Sequence, residues 1–341
     1  MFAAAIPIFG LHIGQSGVTT LPANMPARIG YAALQREFPA GNPYPVEIVA
    51  QGGGAATSAS LAALRQALGK DTRFGTGVVR TGLDGIRVLS VPIRGDAVGP
   101  AAVAAVRDLR THLIPATFTN SDVTVYVGGK TAETVDYFDA VTNPTPYVLA
   151  FVLGLSLIVL TIAFRSLVVA ALSIALNLLS VGAAYGLLTL VFVDGVGHGL
   201  LGFEHVPTVD AWVPLFLFSV LFALSMDYQV FLMSRIKERY DQSRSTREAV
   251  ATGISTTARI ITGAALIIII VFAGFATGQL VMFQQMGFGV AIALFLDATL
   301  IRSVVLPSAL TLLGDRTWYL PRWLDWLPHV EIEPAHTPTP A

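Results

Sequence analysis

Residues Ala211–Ser234 read AWVPLFLFSVLFALSMDYQVFLMS, 24 residues with one charged side chain, Asp227. A helix needs about 20 apolar residues to cross the hydrocarbon of a bilayer, so this stretch predicts a transmembrane span. Its neighbours repeat the pattern: Tyr147–Phe164 is 18 residues without a charge, Ser166–Val193 is 28, and Ile260–Leu296 is 37. The last run is too long for one crossing and predicts two spans. The break belongs near Gly274–Gln285, where Gly278, Gln279, Gln284 and Gln285 supply turn and interfacial chemistry. Five spans are expected at about 147–164, 167–192, 212–235, 257–277 and 284–306, within a membrane domain 147–312 and before a tail 313–341. Met1–Gly14 is a sixth apolar stretch, too short to cross and without a basic region before it. It is expected to be the outer end of a truncated first span, with its exit reaching about residue 21.

Composition agrees with this class. Of 341 residues, 54% are hydrophobic and only 13% charged, half the roughly 25% of an ordinary soluble domain. The net charge of −1 argues against a nucleic-acid partner, and the absence of cysteine excludes disulfides, zinc–thiolate sites and thiol nucleophiles. Residues 22–146 have a different character. Strands are expected at Val46–Ala50, Gly77–Arg80, Ile86–Pro92 and Asp122–Val127, with helices at Thr57–Leu68, Gly99–Leu113 and from Thr131. The order β-α-β-β-α-β is that of a ferredoxin-like split unit. The fold class is therefore an α-helical polytopic membrane protein carrying an α+β domain.

Basic residues orient the spans. Arg165, the 235–256 loop with Arg235, Lys237, Arg239, Arg244 and Arg247, and Arg259, Arg302, Arg316 and Arg322 all fall on one side of an alternating path. The connection Asp194–Asp210 carries no Lys or Arg. Loop 235–256 and the C-terminus are expected in the cytoplasm of a multi-pass plasma-membrane protein, with 22–146 outside.

An ionisable group inside a span costs about 2.5–3.5 kcal/mol on insertion scales. Asp227 lies about 15 residues into its span, roughly 22 Å deep at 1.5 Å per residue. It is a candidate proton site, with the Tyr228 hydroxyl beside it as a donor; a permanently protonated or Arg-paired structural residue is the alternative. Asp297 and Arg302, five apart, are candidates for a structural ion pair or a secondary coupling role. Gly182 with Gly186, and Gly274 with Gly278, have the spacing of helix–helix contacts. Ser255, Thr256, Thr257 and Thr262 either reach toward Asp227 or bond their own backbone. Gly129-Lys130-Thr131 imitates the end of a P-loop, but Thr124 stands where its first glycine is required. His198, Glu204, His205 and Asp210 share one loop, which is expected to be polar surface rather than a metal site. No enzyme signature, cofactor motif or metal set stands out, so an ion gradient is the expected energy source.

The run Leu224–Glu238, LSMDYQVFLMSRIKE, resembles a transmembrane motif of the MmpL family, lipid exporters of the RND superfamily in mycobacteria and related actinobacteria. Phe272–Phe275 (FAGF), Met282–Gly287 (MFQQMG), Leu296–Arg302 (LDATLIR) and the Trp318–Trp326 tail follow in family order, and the likeness spans about 1–328. Gln229 departs mildly, since many members carry Glu there. The resemblance implies a porter-type extracytoplasmic domain, half of an RND-type repeat, and a proton relay through Asp227 and Tyr228. It also implies that this chain matches the second half only. The partner Asp-Tyr pair would come from a complementary N-terminal half or from a second copy of this chain. The implied function is export of a lipid or other amphiphile driven by the proton-motive force, with membrane lipids as partners and protons in place of a cofactor. The alternatives are a non-transporting lipid-binding or scaffold subunit, and an inactive truncated product.

Overall fold

The computed structural model describes residues 1–37, 44–52, 54–119 and 123–327. The first position of the expected strand Asp122–Val127 and the tail beyond Leu327 lie outside them. The chain opens with α1 (Phe2–Ala5), a short 3-10 turn at Ile6–Gly10, and the two-residue strand β1 (Ile13–Gly14). It continues through α2 (Pro26–Glu37), β2 (Val46–Gln51), α3 (Gly54–Lys70), β3 (Val78–Thr81), β4 (Arg87–Val91), α4 (Pro100–Asp108), α5 (Ile114–Thr117), β5 (Thr124–Gly128) and α6 (Lys130–Thr142). A π-helical stretch at Leu109–Leu113 joins α4 to α5.

The sheet order is β3-β4-β2-β5, antiparallel throughout, with Ile48 opposite both Leu89 and Val127. This is the split β-α-β arrangement expected from the element order. Alternation explains the sheet's two faces: Val46, Ile48 and Ala50 are buried, whereas Glu47 between them is exposed. Leu61, Leu64 and Leu68 of α3 recur at helical spacing and close over that face with Ala102, Ala105, Val106 and Leu109. Each fully buried Leu contributes about 1.5–3 kcal/mol.

The bundle follows: α7 (Thr145–Phe164), α8 (Leu167–Leu188), the small α9 (His198–Leu201), β6 (Val209–Asp210), α10 (Trp212–Ser243), α11 (Thr246–Ala276), α12 (Val281–Leu296) and α13 (Leu306–Leu313). A π-helical segment, Asp297–Val305, makes α12 and α13 one continuous rod. Five helices are long and apolar enough to cross a membrane, and α6 and α7 together form the first, Lys130–Phe164. That helix begins in the core of the α+β domain and ends in the bundle, so one helical run connects them. Helices α10 and α11 overrun the expected spans, because charged residues at the end of α10 and the start of α11 continue the helix beyond the apolar run.

Turn chemistry sets the ends. Arg165 and Arg244 adopt left-handed conformations, and Ser166 and Ser245 then cap α8 and α11 by accepting from Val169 N (3.1 Å) and Glu248 N (3.4 Å). Arg165 donates to the Leu327 carbonyl, Ser166 Oγ to the Thr317 carbonyl at 2.5 Å, and Tyr240 stacks on Trp318 at 4.7 Å. The basic turns and the C-terminal segment therefore share one end of the bundle, and the α+β domain sits at the other. Gly186 admits the N-terminal segment: a Cβ there would stand 2.0 Å from the Ala4 carbonyl oxygen. Gly287 does the same for the α11–α12 hairpin, at 2.4 Å from Ala276 N. Gly274 has open space before it, so the second expected small-residue pair makes no such contact.

Candidate functional site

A polar cluster lies inside the bundle where α8, α10 and the π-helical segment meet. The π geometry brings Asp297 and Arg302, five residues apart, onto one side of the helix. Arg302 Nε donates to Asp297 Oδ2 at 2.9 Å, and Nη2 lies 2.8 Å from the same oxygen, with both side chains about 95% buried (5% and 4% exposed). Ser225 of α10 is the hub. Its hydroxyl lies 2.6 Å from Asn177 Oδ1 and 3.0 Å from Asp297 Oδ2, and it accepts from Arg302 Nη2 at 2.9 Å. Arg302 also donates to the Ser225 carbonyl. One turn along α10, Gln229 donates to Ser173 Oγ of α8 at 2.7 Å. Asp297 Oδ1, Arg302 Nη1 and Asn177 Nδ2 are buried without partners among the described residues. A desolvated pair of this kind holds the helices in one register, because losing either partner strands a charge.

Asp227 lies on the same helix and faces the other way. It is exposed and makes no hydrogen bond or ion pair among the described residues, while Ser219 and Ala223 continue the same uncovered face. Tyr228 is half-buried, and its ring lies over the Arg302 guanidinium, 5.4 Å from centroid to carbon. The structure thus groups Tyr228 with Asp297 and Arg302, and leaves Asp227 apart from all three. Ser255, Thr256 and Thr257 bond the carbonyls of Thr252 and Gly253 in their own helix. Asn177, Ser173 and Ser225 were not singled out by sequence. The available signal was polar residues on apolar helices, and their helical phase toward Asp297 is a matter of packing.

A second polar knot ties the bundle to the α+β domain. Strand β1 pairs in parallel with β6, and Asp210 accepts from the Ser16 backbone N–H at 2.8 Å and from the Ser16 hydroxyl. The Asp210 N–H donates to Gln285 Oε1 at 3.0 Å, and Gln285 Nε2 donates to the Thr208 carbonyl at 3.1 Å. Burial pushes the Asp210 carboxyl above the ordinary range, against the two Ser16 hydrogen bonds that hold it down. Gln15, the next residue back, accepts from the Thr134 hydroxyl of α6 at 3.0 Å. Residues 15–16 therefore grip both parts of the molecule. In the same region His205 donates to the Val193 carbonyl at 2.8 Å, and His198 Nδ1 lies 3.2 Å from the Phe203 carbonyl. Both rings thus brace their loop. No group of three or more His, Cys, Asp or Glu suited to a metal occurs among the described residues.

Comparison with known proteins places this architecture. The sequence model of the MMPL family matches residues 84–334. The chain is 40% identical over 247 residues to the mycolic acid-containing lipids exporter MmpL11 of Mycolicibacterium smegmatis, covering 72% of this chain and 26% of that protein. It is 35% identical over 341 residues to the heme uptake protein MmpL11 of Mycobacterium tuberculosis, covering 98% and 35%. To the trehalose monomycolate exporter MmpL3 of M. smegmatis it is 38% identical over 202 residues, covering 59% and 20%. The chain thus spans about a third or less of the length of these relatives. Its apolar helices, its split β-α-β domain and the extent of the family match lead to one conclusion: the chain is a multi-pass membrane protein of the MMPL family.

Proposed function

We propose that this chain is one half of an exporter that moves a lipid or other amphiphile across or out of the plasma membrane, driven by the proton-motive force. The observation that carries the reading is the placement of Asp227, exposed and without a partner among the described residues, two positions along an apolar helix from the Ser225 that holds the buried Asp297–Arg302 pair. A carboxyl in hydrocarbon is costly, so this face of α10 is to be covered by a complementary half or by a second copy of the chain. Small residues beside Asp227 permit a close helix approach there. A polar partner across that seam lets the carboxyl gain and lose a proton as the helices shift, so that each packed arrangement favours one protonation state. Tyr228, stacked on Arg302, links any such shift to the Asp297–Arg302 pair, whose role is to hold the helices in register.

The amphiphilic cargo is supported by the relatives named as exporters of mycolic acid-containing lipids and of trehalose monomycolate. The name heme uptake protein, carried by another relative, marks substrate as the part most open to variation. The orientation follows from charge: the end bearing Arg165, Lys237, Arg244 and Arg316 faces the cytoplasm, and the α+β domain lies outside. Coupling runs on protons without a cofactor, and the work is transport rather than catalysis.

The test is Asp227→Asn in the complete assembly, reconstituted in liposomes with an imposed proton gradient. Gradient-dependent export is expected to disappear while the amount of protein reconstituted is unchanged. Undiminished export by that variant overturns the proton role.

A further inference from the structure

Helices α7 and α8 are separated by Arg165 and Ser166 alone, and both are apolar up to that turn, at Phe164 and at Leu167. The surface of the bilayer therefore passes through the turn. Residues 314–327, which follow the last rod, are tied to the same place. Arg165 donates to the carbonyls of Leu327 and, at 3.3 Å, of Asp325. Ser166 Oγ donates to the Thr317 carbonyl at 2.5 Å, and Leu167 N to the Tyr319 carbonyl at 3.2 Å. One turn holds the segment at several points, so it runs across the end of the bundle as a strap instead of prolonging the rod.

The inner side of the strap is occupied by these bonds and by Trp318, which stacks on Tyr240 at 4.7 Å and lies 4.8 Å from Lys237 Nζ. Its outer side carries Tyr319, Trp323 and Trp326, all exposed, the two tryptophans by 71% and 76%. None of the three has a ring contact among the described residues. Rings gathered in this way against water form a patch prone to association, whereas the level of the lipid head groups is where tryptophan and tyrosine collect. The patch also continues the lipid-facing flank of the last rod, where Val304 and Leu312 stand exposed.

Charge distinguishes among lipids. Arg316 and Arg322 are exposed and have no acidic partner among the described residues. The strap's own acids are Asp315, 3.5 Å from the Tyr240 hydroxyl, and the exposed Asp325. Across Arg165, residues 235–259 and the strap, nine basic residues stand against five acidic ones. A positive surface at this depth attracts the phosphates of anionic lipids.

We propose that the strap docks on the phospholipid of the cytoplasmic leaflet and selects anionic heads. The rings of Tyr319, Trp323 and Trp326 sit among the glycerol and upper acyl groups, and Arg316 and Arg322 hold the phosphates. The docked strap clamps the α7–α8 turn to the last rod from the membrane side. Which leaflet this is rests on the orientation proposed above; the contact itself needs neither export nor a second half.

The experiment uses the full chain in nanodiscs of phosphatidylcholine and phosphatidylglycerol, with bromine on the upper chains of one lipid or the other. Tryptophan emission is read with and without Trp323→Phe/Trp326→Phe, so that the difference belongs to these two rings and not to Trp212 or Trp318. Strong quenching by brominated lipid and weak quenching by aqueous iodide are expected. Brominated phosphatidylglycerol should quench as if enriched about fivefold over phosphatidylcholine, the scale of one basic residue at an anionic surface. Arg316→Gln/Arg322→Gln should bring that ratio to about one, with circular dichroism unchanged because both side chains are exposed. Iodide quenching without bromolipid quenching would place the strap in the cytoplasm, and the absence of both would place it against protein, a second copy of the chain included. Either result, or an equal ratio for the two lipids in the parent chain, overturns the proposal. Loss of the Asp227 role would leave a positive result here standing, and a negative result here would leave proton-driven export intact.

Discussion

Asp297 and Asp227 are both carboxyls on apolar helices, and their surroundings are opposite. Asp297 is 3% exposed, with Arg302 at 2.8 Å and Ser225 at 3.0 Å. Asp227 is exposed and has no partner among the described residues. The first is part of what holds this chain's own helices together. The second makes no hydrogen bond or ion pair among the described residues, and its place in an apolar span is ascribed above to a partner that covers that face. The contrast separates an acid whose loss should unfold the bundle from an acid whose loss should silence it.

The sharpest way to break this contrast is Arg302→Met, which strands Asp297 in the interior. A loss of about 3–5 kcal/mol is expected in denaturant unfolding in detergent, and the double variant Asp297→Leu/Arg302→Met should recover most of it. A single variant as stable as the parent would show that the pair is not the internal tie described here. Ser225→Ala comes next. It removes the hydroxyl shared by Asn177, Asp297 and Arg302, and about 1–3 kcal/mol should be lost. A smaller effect belongs to Asp210, the second buried carboxyl. Its native pKa is raised, so its contribution to stability is fully present below the unfolded value of about 3.9 and fades as pH rises through the native value. Asp210→Asn should flatten the fall of the melting temperature as pH rises above about 4; an unchanged slope would place the pH dependence elsewhere. The smallest stability effect is reserved for Asp227→Asn, within about 0.5 kcal/mol in the isolated chain. A large destabilisation would mean that Asp227 already has an internal partner, and the contrast would fail.

Much of the fold was legible in order of residues alone. Uninterrupted apolar runs mark spans because the bilayer leaves the backbone few ways to satisfy its hydrogen bonds. Alternation at Val46–Ala50 and helical spacing at Leu61–Leu68 mark the α+β domain for an equally local reason. The helix ends were less legible: α10 continues to Ser243 and α11 begins at Thr246, because propensity and capping carry a helix past its apolar part. The candidate site was legible as a roster of costly residues, Asp227, Tyr228, Asp297 and Arg302, but their grouping was not. Adjacent positions on a helix point about 100° apart, so Tyr228 can turn inward onto Arg302 while Asp227 turns outward.

By itself the sequence determined the membrane class, the split β-α-β domain and the gathering of positive charge at one end of the bundle. These follow from periodicity and composition, which act over a few residues at a time. Only the tertiary structure decided which acid is paired, what Tyr228 touches, and that Ser16 meets Asp210 across 194 positions of chain. Those outcomes depend on how far each helix is rotated about its own axis and on which distant segments come to share a seam. No local pattern encodes them, because the bilayer rewards every rotation that keeps apolar surface toward lipid almost equally, and the packing of helix on helix makes the choice.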